Sequence, residues 1–222
     1  METERHSIEP ERLRMVTTVE RRIGPMDPLY RAALLSVDRA RFVRPADRSR
    51  AWIDEPLPLE TPHGAAVATV SAPHMYVLGF DALRLGPGDR LLELGSGSGY
   101  GAALAAAIVG PQGFVTTVEV DPHLARLALE TTALIPNVRV LHDDGLRRAD
   151  LLATHPKCWL TFAVGELSRA FLDGLVEGGV LVAPVGPPHD QRLLRHVRRG
   201  GVVSADDLGA VRFVAARSLV GD

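Results

Sequence analysis

The sequence predicts an α/β fold: a mostly parallel central sheet, an antiparallel C-terminal strand pair and an N-terminal helical cap. Three observations lead there. From about residue 88, short apolar β-rich runs alternate with helical patterns, the signature of βαβ units. One such run, Arg90-Leu91-Leu92-Glu93-Leu94, passes directly into Gly95-Ser96-Gly97-Ser98-Gly99 and then an alanine-rich stretch, so strand, tight turn and helix follow one another. Before residue 80 the pattern is different, with helical stretches and proline-rich extended chain. The expected division is therefore a cap segment, 1–80, and a core, 81–222, that forms a single compact unit.

Taken in order, residues 9–22 and 28–37 read as helices, and Pro56-Leu57-Pro58-Leu59 as extended chain. Gly86-Pro87-Gly88-Asp89 makes a turn before the strand 90–94. After the glycine turn, 102–109 is a helix stopped by Gly110-Pro111-Gln112-Gly113. Residues 114–120 form the next strand, and 122–133 fit a helix with proline at its first position. Strands follow at 138–141, 159–164 and 180–185, with a helix at 168–176. In the tail, 192–198 and 211–217 alternate as two antiparallel strands joined through Gly200-Gly201.

With 222 residues the chain is long enough for one domain with an appended segment. Its formal charge of −2 gives no overall pull toward nucleic acid or an anionic membrane. The arginines clustered at 39, 41, 44, 48 and 50 read as a solvated helix face rather than a phosphate-binding patch. Cys158 is the one cysteine, which excludes an intramolecular disulfide, and no two histidines stand four apart, so no metal site is expected. Inside an apolar run, Cys158 reads as a small buried side chain. The start METERHSIEPERLRM has no apolar signal-peptide core, and no apolar stretch reaches the ~20 residues of a membrane helix. The expected location is the cytoplasm.

A strand that ends in a glycine turn and a helix points backbone N–H groups at a ligand beyond the carboxyl end of the sheet. The ligand class follows from the details. A dinucleotide fingerprint requires G-x-G-x-x-G, whereas Gly95, Gly97 and Gly99 run G-x-G-x-G with Tyr100 at the last required place. Glu93 would repel a pyrophosphate but suits an ammonium group such as that of a methionine moiety. Glu119, ending the second strand beside Val120, can accept from two ribose hydroxyls, and Asp144-Gly145, after the third, can accept from an adenine amino group. Each acidic residue alone could merely cap a helix. Three at consecutive strand ends favour a neutral-to-cationic nucleoside.

These residues lie in a chain that resembles the protein-L-isoaspartate (D-aspartate) O-methyltransferase family, over roughly residues 30–217. Val37-Asp38-Arg39-Ala40-Arg41-Phe42-Val43 is similar to that family's V-x-R-x-x-F-V segment, and Ala51-Trp52-Ile53-Asp54-Glu55-Pro56-Leu57-Pro58 to A-Y-x-D-x-P-L-P. More specific is Thr69-Val70-Ser71-Ala72-Pro73-His74-Met75 beside T-I-S-A-P-H-M, and residues 178–186 resemble G-G-R-L-V-x-P-V-G. The resemblance implies a Rossmann-like class I methyltransferase fold, S-adenosyl-L-methionine as cofactor and methyl transfer to an altered aspartyl carboxylate in a peptide or protein. It implies Gly95 and Gly97 near the methionine end, Glu119 at the ribose and Asp144 and Gly145 near the adenine, with Glu93, Ser96, Gly99 and Val120 as further cofactor-binding residues. Ser71 would be the catalytic residue beside the acceptor, with Thr69, Val70 and His74 at the substrate, His74 chiefly placing a helix behind the site.

The chain departs from the family pattern where Y-D-A-I and an A-A-A-P loop are usual: it has Lys157-Cys158-Trp159-Leu160 and then Val164-Gly165-Glu166-Leu167-Ser168, and Ala66-Val67 precede the serine motif. The acceptor therefore stays open between damaged protein and an aspartate of a dedicated natural-product precursor peptide. A small-molecule O-methyltransferase and a non-catalytic cofactor-binding regulatory domain are the other readings. Hydrolysis by a Ser71–His74 pair is disfavoured, because no nucleophile elbow surrounds Ser71 and Pro73 keeps the intervening backbone extended. A carboxylate acceptor, with a usual pKa near 4, is already ionised at neutral pH and needs no general base.

Overall fold

The computed structural model describes residues 2–61 and 68–217, the backbone alone for 2–9; Ala66-Val67 lies outside the described residues. Helices α1 (Glu2–Ile23) and α2 (Pro28–Ser36) come first, and Asp27 caps α2 by accepting from Leu29 N–H at 2.8 Å. Two 3-10 turns, Arg39–Arg41 and Pro45–Arg50, lead to the short strand β1 (Leu57–Pro58), which pairs antiparallel with β2 (Thr69–Val70). Helix α3 (Pro73–Leu83) follows. The core then alternates β3 (Arg90–Leu94), α4 (Tyr100–Val109), β4 (Phe114–Glu119), α5 (Pro122–Thr132), β5 (Val138–His142), β6 (Lys157–Leu160), α6 (Arg169–Asp173) and β7 (Val180–Val185), and ends in β8 (Gln191–Arg199) and β9 (Val202–Val211).

The seven-stranded sheet has the order β5-β4-β3-β6-β7-β8-β9. Its first five strands are parallel, and β8 and β9 are antiparallel. Leu91 and Glu93 face one side and Leu92 and Leu94 the other, as the two-residue period of a strand requires. On the first side an apolar cluster joins Met15 and Val19 of α1, Leu34 of α2, Phe80 of α3 and Leu104 of α4 to Leu91 and Trp159. On the second, Leu92, Leu94, Cys158 and Leu160 pack with Leu152, Phe171 and Leu175. No helix among the described residues is long and apolar enough to cross a membrane.

The structure corrects four sequence expectations. The second tail strand is Val202–Val211, not 211–217, because Gly200 and Gly201 (φ +57° and +77°) form a two-residue hairpin turn that pairs Arg199 directly with Val202. As an edge strand exposed along much of its length, β9 carries no apolar alternation to betray it, and residues 212–217 instead cross the end of the sheet, where Ala215 bridges Ala163. The arginine cluster is not one solvated helix face: Arg41, Arg48 and Arg50 are exposed, but Arg39 is fully buried. The strand expected over 159–164 is instead Lys157–Leu160, and the helix expected over 168–176 shrinks to α6, capped by Ser168, whose side chain accepts from Phe171 N–H. Sequence reading passed over α3 because it is apolar nearly all round, as a helix covered on both sides must be.

Gly79 of α3 abuts the Trp159 indole, where an added Cβ would overlap Cζ2 and stand 2.6 Å from Cε2. Alanine is the better helix former by ~1 kcal/mol, yet overpacking costs ~1–3 kcal/mol. Gly79→Ala is therefore expected to lower the urea midpoint, with net destabilisation of up to about 2 kcal/mol; a raised midpoint would contradict this packing.

Candidate active site

Strand order reverses at β3, which lies between β4 and β6, and open α/β sheets bind ligands at the carboxyl ends of strands at such a switch point. Gly95 leaves β3 with φ +96°, and the Thr161 hydroxyl fills the space a Cβ would need. That hydroxyl donates to the Gly95 carbonyl at 2.6 Å, fixing the glycine turn to the residue that follows β6. Gly97 N–H donates to Glu119 Oε2 at 2.9 Å, and Glu119 Oε1 accepts from Asp121 N–H at 3.0 Å.

An open cavity of about 600 Å³, counting the space at its mouth, lies over these strand ends, where open α/β sheets place their ligands. Thr69, Gly95, Gly97, Glu119, Val120, Asp144 and Gly145 line it, together with Ala68, Thr161, Phe162, Val214, Ala215 and Arg217 among others. A second cavity of about 270 Å³ shares Thr69, Gly95, Gly97 and Thr161 with the first and is lined also by Val70, Ser71, Tyr76, Glu93, Ser96 and Ser98.

Two residues expected at the site line neither cavity. His74 Nδ1 meets Asp54 Oδ1 at 2.9 Å, and its main-chain N–H donates to the same oxygen. Burial alone would raise the Asp54 carboxyl, but these bonds and one from Arg22 outweigh it and hold it near 2. Gly99, at the N-cap of α4, is closed in by Thr131 and Thr132 of α5.

The main cavity's polar groups suit a nucleoside carrying hydroxyls and positive charge. Both Glu119 oxygens are anchored by main-chain N–H groups, leaving each a further lone pair. Asp144 Oδ1 accepts from Leu146 N–H, and Arg147 Nε lies 3.4 Å from Oδ2. The cationic lining residue Arg217 is paired with Asp121 at 3.1 Å rather than turned to a phosphate.

Glu93 occupies the second cavity's floor, 1% exposed, beneath Gly101 of α4, whose missing Cβ gives its carboxyl room. The Thr117 hydroxyl stands 2.6 Å from Glu93 Oε2 and 2.7 Å from Ser96 Oγ. One hydroxyl carries one proton, so it donates to one of these and accepts from the other. Ser98 Oγ is buried nearby with no hydrogen-bond partner among the described residues.

Sequence reasoning missed Thr161, Phe162, Tyr76, Ser98 and the tail residues 214, 215 and 217. Thr161 and Phe162 could have been found, since they follow a parallel strand at the switch point. The tail residues carry no local signal, because only the tertiary course of the chain brings them over the sheet.

Residues 15–221 match the family model described as protein-L-isoaspartate(D-aspartate) O-methyltransferase (PCMT). A protein-L-isoaspartate O-methyltransferase of Staphylothermus marinus is 42% identical over 206 residues, covering 88% of each chain. A solved protein-L-isoaspartate O-methyltransferase superposes with TM-score 0.83 at 22% identity, over 95% of this chain and 67% of that one. A Plasmodium falciparum chain described as a protein-L-isoaspartate O-methyltransferase, solved in complex with S-adenosyl-L-homocysteine, gives TM-score 0.78 at 24% identity, over 91% and 96% of the two chains. At those identities the two structures speak for the fold.

Burial pushes the Glu93 carboxyl up to about 8, against the Thr117 hydrogen bond and with help from the Glu119 charge. The folded chain then keeps a proton that the unfolded chain, at the usual glutamate value of ~4.3, gives up. This contribution is complete at pH 4 and is lost as pH rises toward and through 8. Glu93→Gln carries no such penalty, so its Tm relative to the parent is expected to rise steadily between about pH 5 and 8 and then level off. A Tm difference independent of pH would show that Glu93 titrates normally.

Proposed function

The chain belongs to the protein-L-isoaspartate (D-aspartate) O-methyltransferase family, and on that premise we propose that it methylates the free carboxylate of an isoaspartyl or aspartyl residue held in a peptide or protein, with Ser71 beside the acceptor. It is an S-adenosyl-L-methionine-dependent O-methyltransferase. The observation that carries the acceptor reading is the placement of Ser71 on a small cavity sharing a wall with the larger nucleoside-sized one.

When bound, the cofactor supplies a methyl group on a sulfonium, an electrophile that an ionised carboxylate attacks directly. The chain's residues are left with binding and alignment. In this reading Glu119 takes the ribose hydroxyls and Asp144 with Gly145 the adenine, while Glu93, Gly95 and Gly97 surround the amino-acid end. Ser71 donates its hydroxyl to one acceptor oxygen and so turns the other toward the methyl group. Thr69 and Val70, in a two-stranded ribbon with Leu57 and Pro58, line the approach of a peptide. Alignment of this kind can supply several kcal/mol, up to ~7–11 in the best intramolecular cases.

Paired peptides containing aspartate or isoaspartate at one position, incubated with the enzyme and S-adenosylmethionine and read by mass spectrometry, test the acceptor. A gain of one methyl group on the isoaspartyl peptide alone is expected. Gain on aspartate alone would favour a dedicated peptide acceptor, and no gain on either would sink the proposal. Ser71→Ala is expected to lower kcat/KM roughly 10- to 100-fold, the worth of one hydrogen bond to a charged group. Calorimetric affinity for S-adenosylhomocysteine should be retained.

A further inference from the structure

Arg39 is the one arginine whose residue is wholly buried among the described residues, at 0% exposure. Four of its five N–H donors meet main-chain carbonyls: Nη1 donates to Ala51 at 2.9 Å and Ile53 at 3.0 Å, and Nη2 to Glu55 at 2.8 Å and Ser71 at 3.1 Å, while Nε has no partner among the described residues. The ring of Tyr100 lies 5.8 Å beneath the guanidinium, within cation–π range. Desolvating a cation is expensive, and replacing its water by carbonyl dipoles offsets that cost only when the geometry is good. A planar fork reaches several carbonyls at fixed angles, which an ammonium on a flexible stem does not.

The place of the fourth acceptor gives this arrangement its meaning. Ser71 is the first residue after β2, and Ala72, with extended backbone at φ −61° and ψ 141°, leads into Pro73 at the start of α3. The β1–β2 pairing ends at Val70 and α3 begins at Pro73, so neither element spans Ser71, and rotation there would turn its side chain relative to the cavity that Ser71 lines. Arg39 supplies the missing restraint and ties the Ser71 carbonyl to the 51–55 loop. From the other side, the Ser71 main chain hydrogen-bonds the buried Tyr76 hydroxyl.

We propose that Arg39 is a positioning residue for methyl transfer, fixing Ser71 in its catalytic orientation through the Ser71 carbonyl. This inference rests on the reading of Ser71 as the acceptor-side group. It differs from a purely structural role in one respect: removing the fork disturbs the acceptor side and leaves the cofactor side alone.

The test compares the parent, Arg39→Lys, Ser71→Ala and the double variant, each as the full chain. Turnover of the methyl-accepting peptide, S-adenosylhomocysteine affinity by calorimetry, and amide exchange without ligand are measured at a temperature where all four are folded. Arg39→Lys is expected to lower kcat roughly 10- to 100-fold and to speed exchange in residues 69–73 roughly tenfold. Affinity for S-adenosylhomocysteine and exchange in residues 95–101 should stay within about twofold of the parent, a shift too small to reflect the loss of one hydrogen bond. In the Ser71→Ala background Arg39→Lys should add nothing to the loss of turnover, since coupled residues do not act additively. If Ser71→Ala leaves turnover intact, the reading of Ser71 fails, whatever Arg39 does. If Ser71→Ala acts but Arg39→Lys has its full effect in both backgrounds, or if nucleoside affinity falls in step, the positioning role is overturned. Should Arg39→Lys not fold, Arg39→Gln, whose neutral amide costs less to bury and cannot span the four carbonyls, replaces it in the same comparison, and each outcome bears on the proposal in the same way.

Discussion

Two main-chain N–H groups converge on the carboxylate of Glu119, and that convergence sets the position of the groups around it. Gly97 belongs to the turn after β3 and Asp121 to the turn after β4, so one side chain locks two consecutive βα turns together. Asp121 extends the chain of contacts: its Oδ1 caps α5 by accepting from His123 and Leu124, while its Oδ2 receives Arg217 from the tail. Glycine turn, strand end, helix cap and tail are therefore tied together by hydrogen bonds. An acidic residue in the middle of this network is costly to bury, and that cost raises the Glu119 pKa above the ordinary carboxylate range, although its two N–H donors and Arg217 oppose the shift.

The two cavities differ in chemistry although they share a wall. The larger is edged by the carboxylates Glu119 and Asp144 and suits hydroxyl and amine donors. The smaller is lined mainly by hydroxyls, from Thr69, Ser71, Tyr76, Ser96, Ser98 and Thr161, around the buried Glu93 carboxyl. Burial raises the Glu93 carboxyl to about 8 and so favours its neutral form beside these hydroxyls.

Much of this was legible in the sequence where local chemistry dictates local shape. The strands over 90–94 and 180–185 were read to the residue, because each is a short apolar run bounded by turn residues. The glycine spacing, with Glu93 before it and Glu119 and Asp144 at the following strand ends, pointed to the sheet edge over which the two cavities lie. What escaped was set by tertiary packing. Nothing in Val37-Asp38-Arg39-Ala40 says that one arginine of the cluster is enclosed by the 51–55 loop, since charged side chains are almost always exposed. The edge strand β9 has too little burial to leave a periodic trace, and its bounds follow from a turn whose partner strand had to be known first.

Residues 212–217 form part of the wall of the larger cavity, where Val214, Ala215 and Arg217 line it together with Gly95 and Glu119. Residues far apart along the chain thus enclose a single space, and contacts of such long range close late because of the chain entropy they must overcome. The larger cavity is therefore incomplete until this stretch has crossed the sheet edge, so closing its wall depends on contacts between parts of the chain more than 90 residues apart.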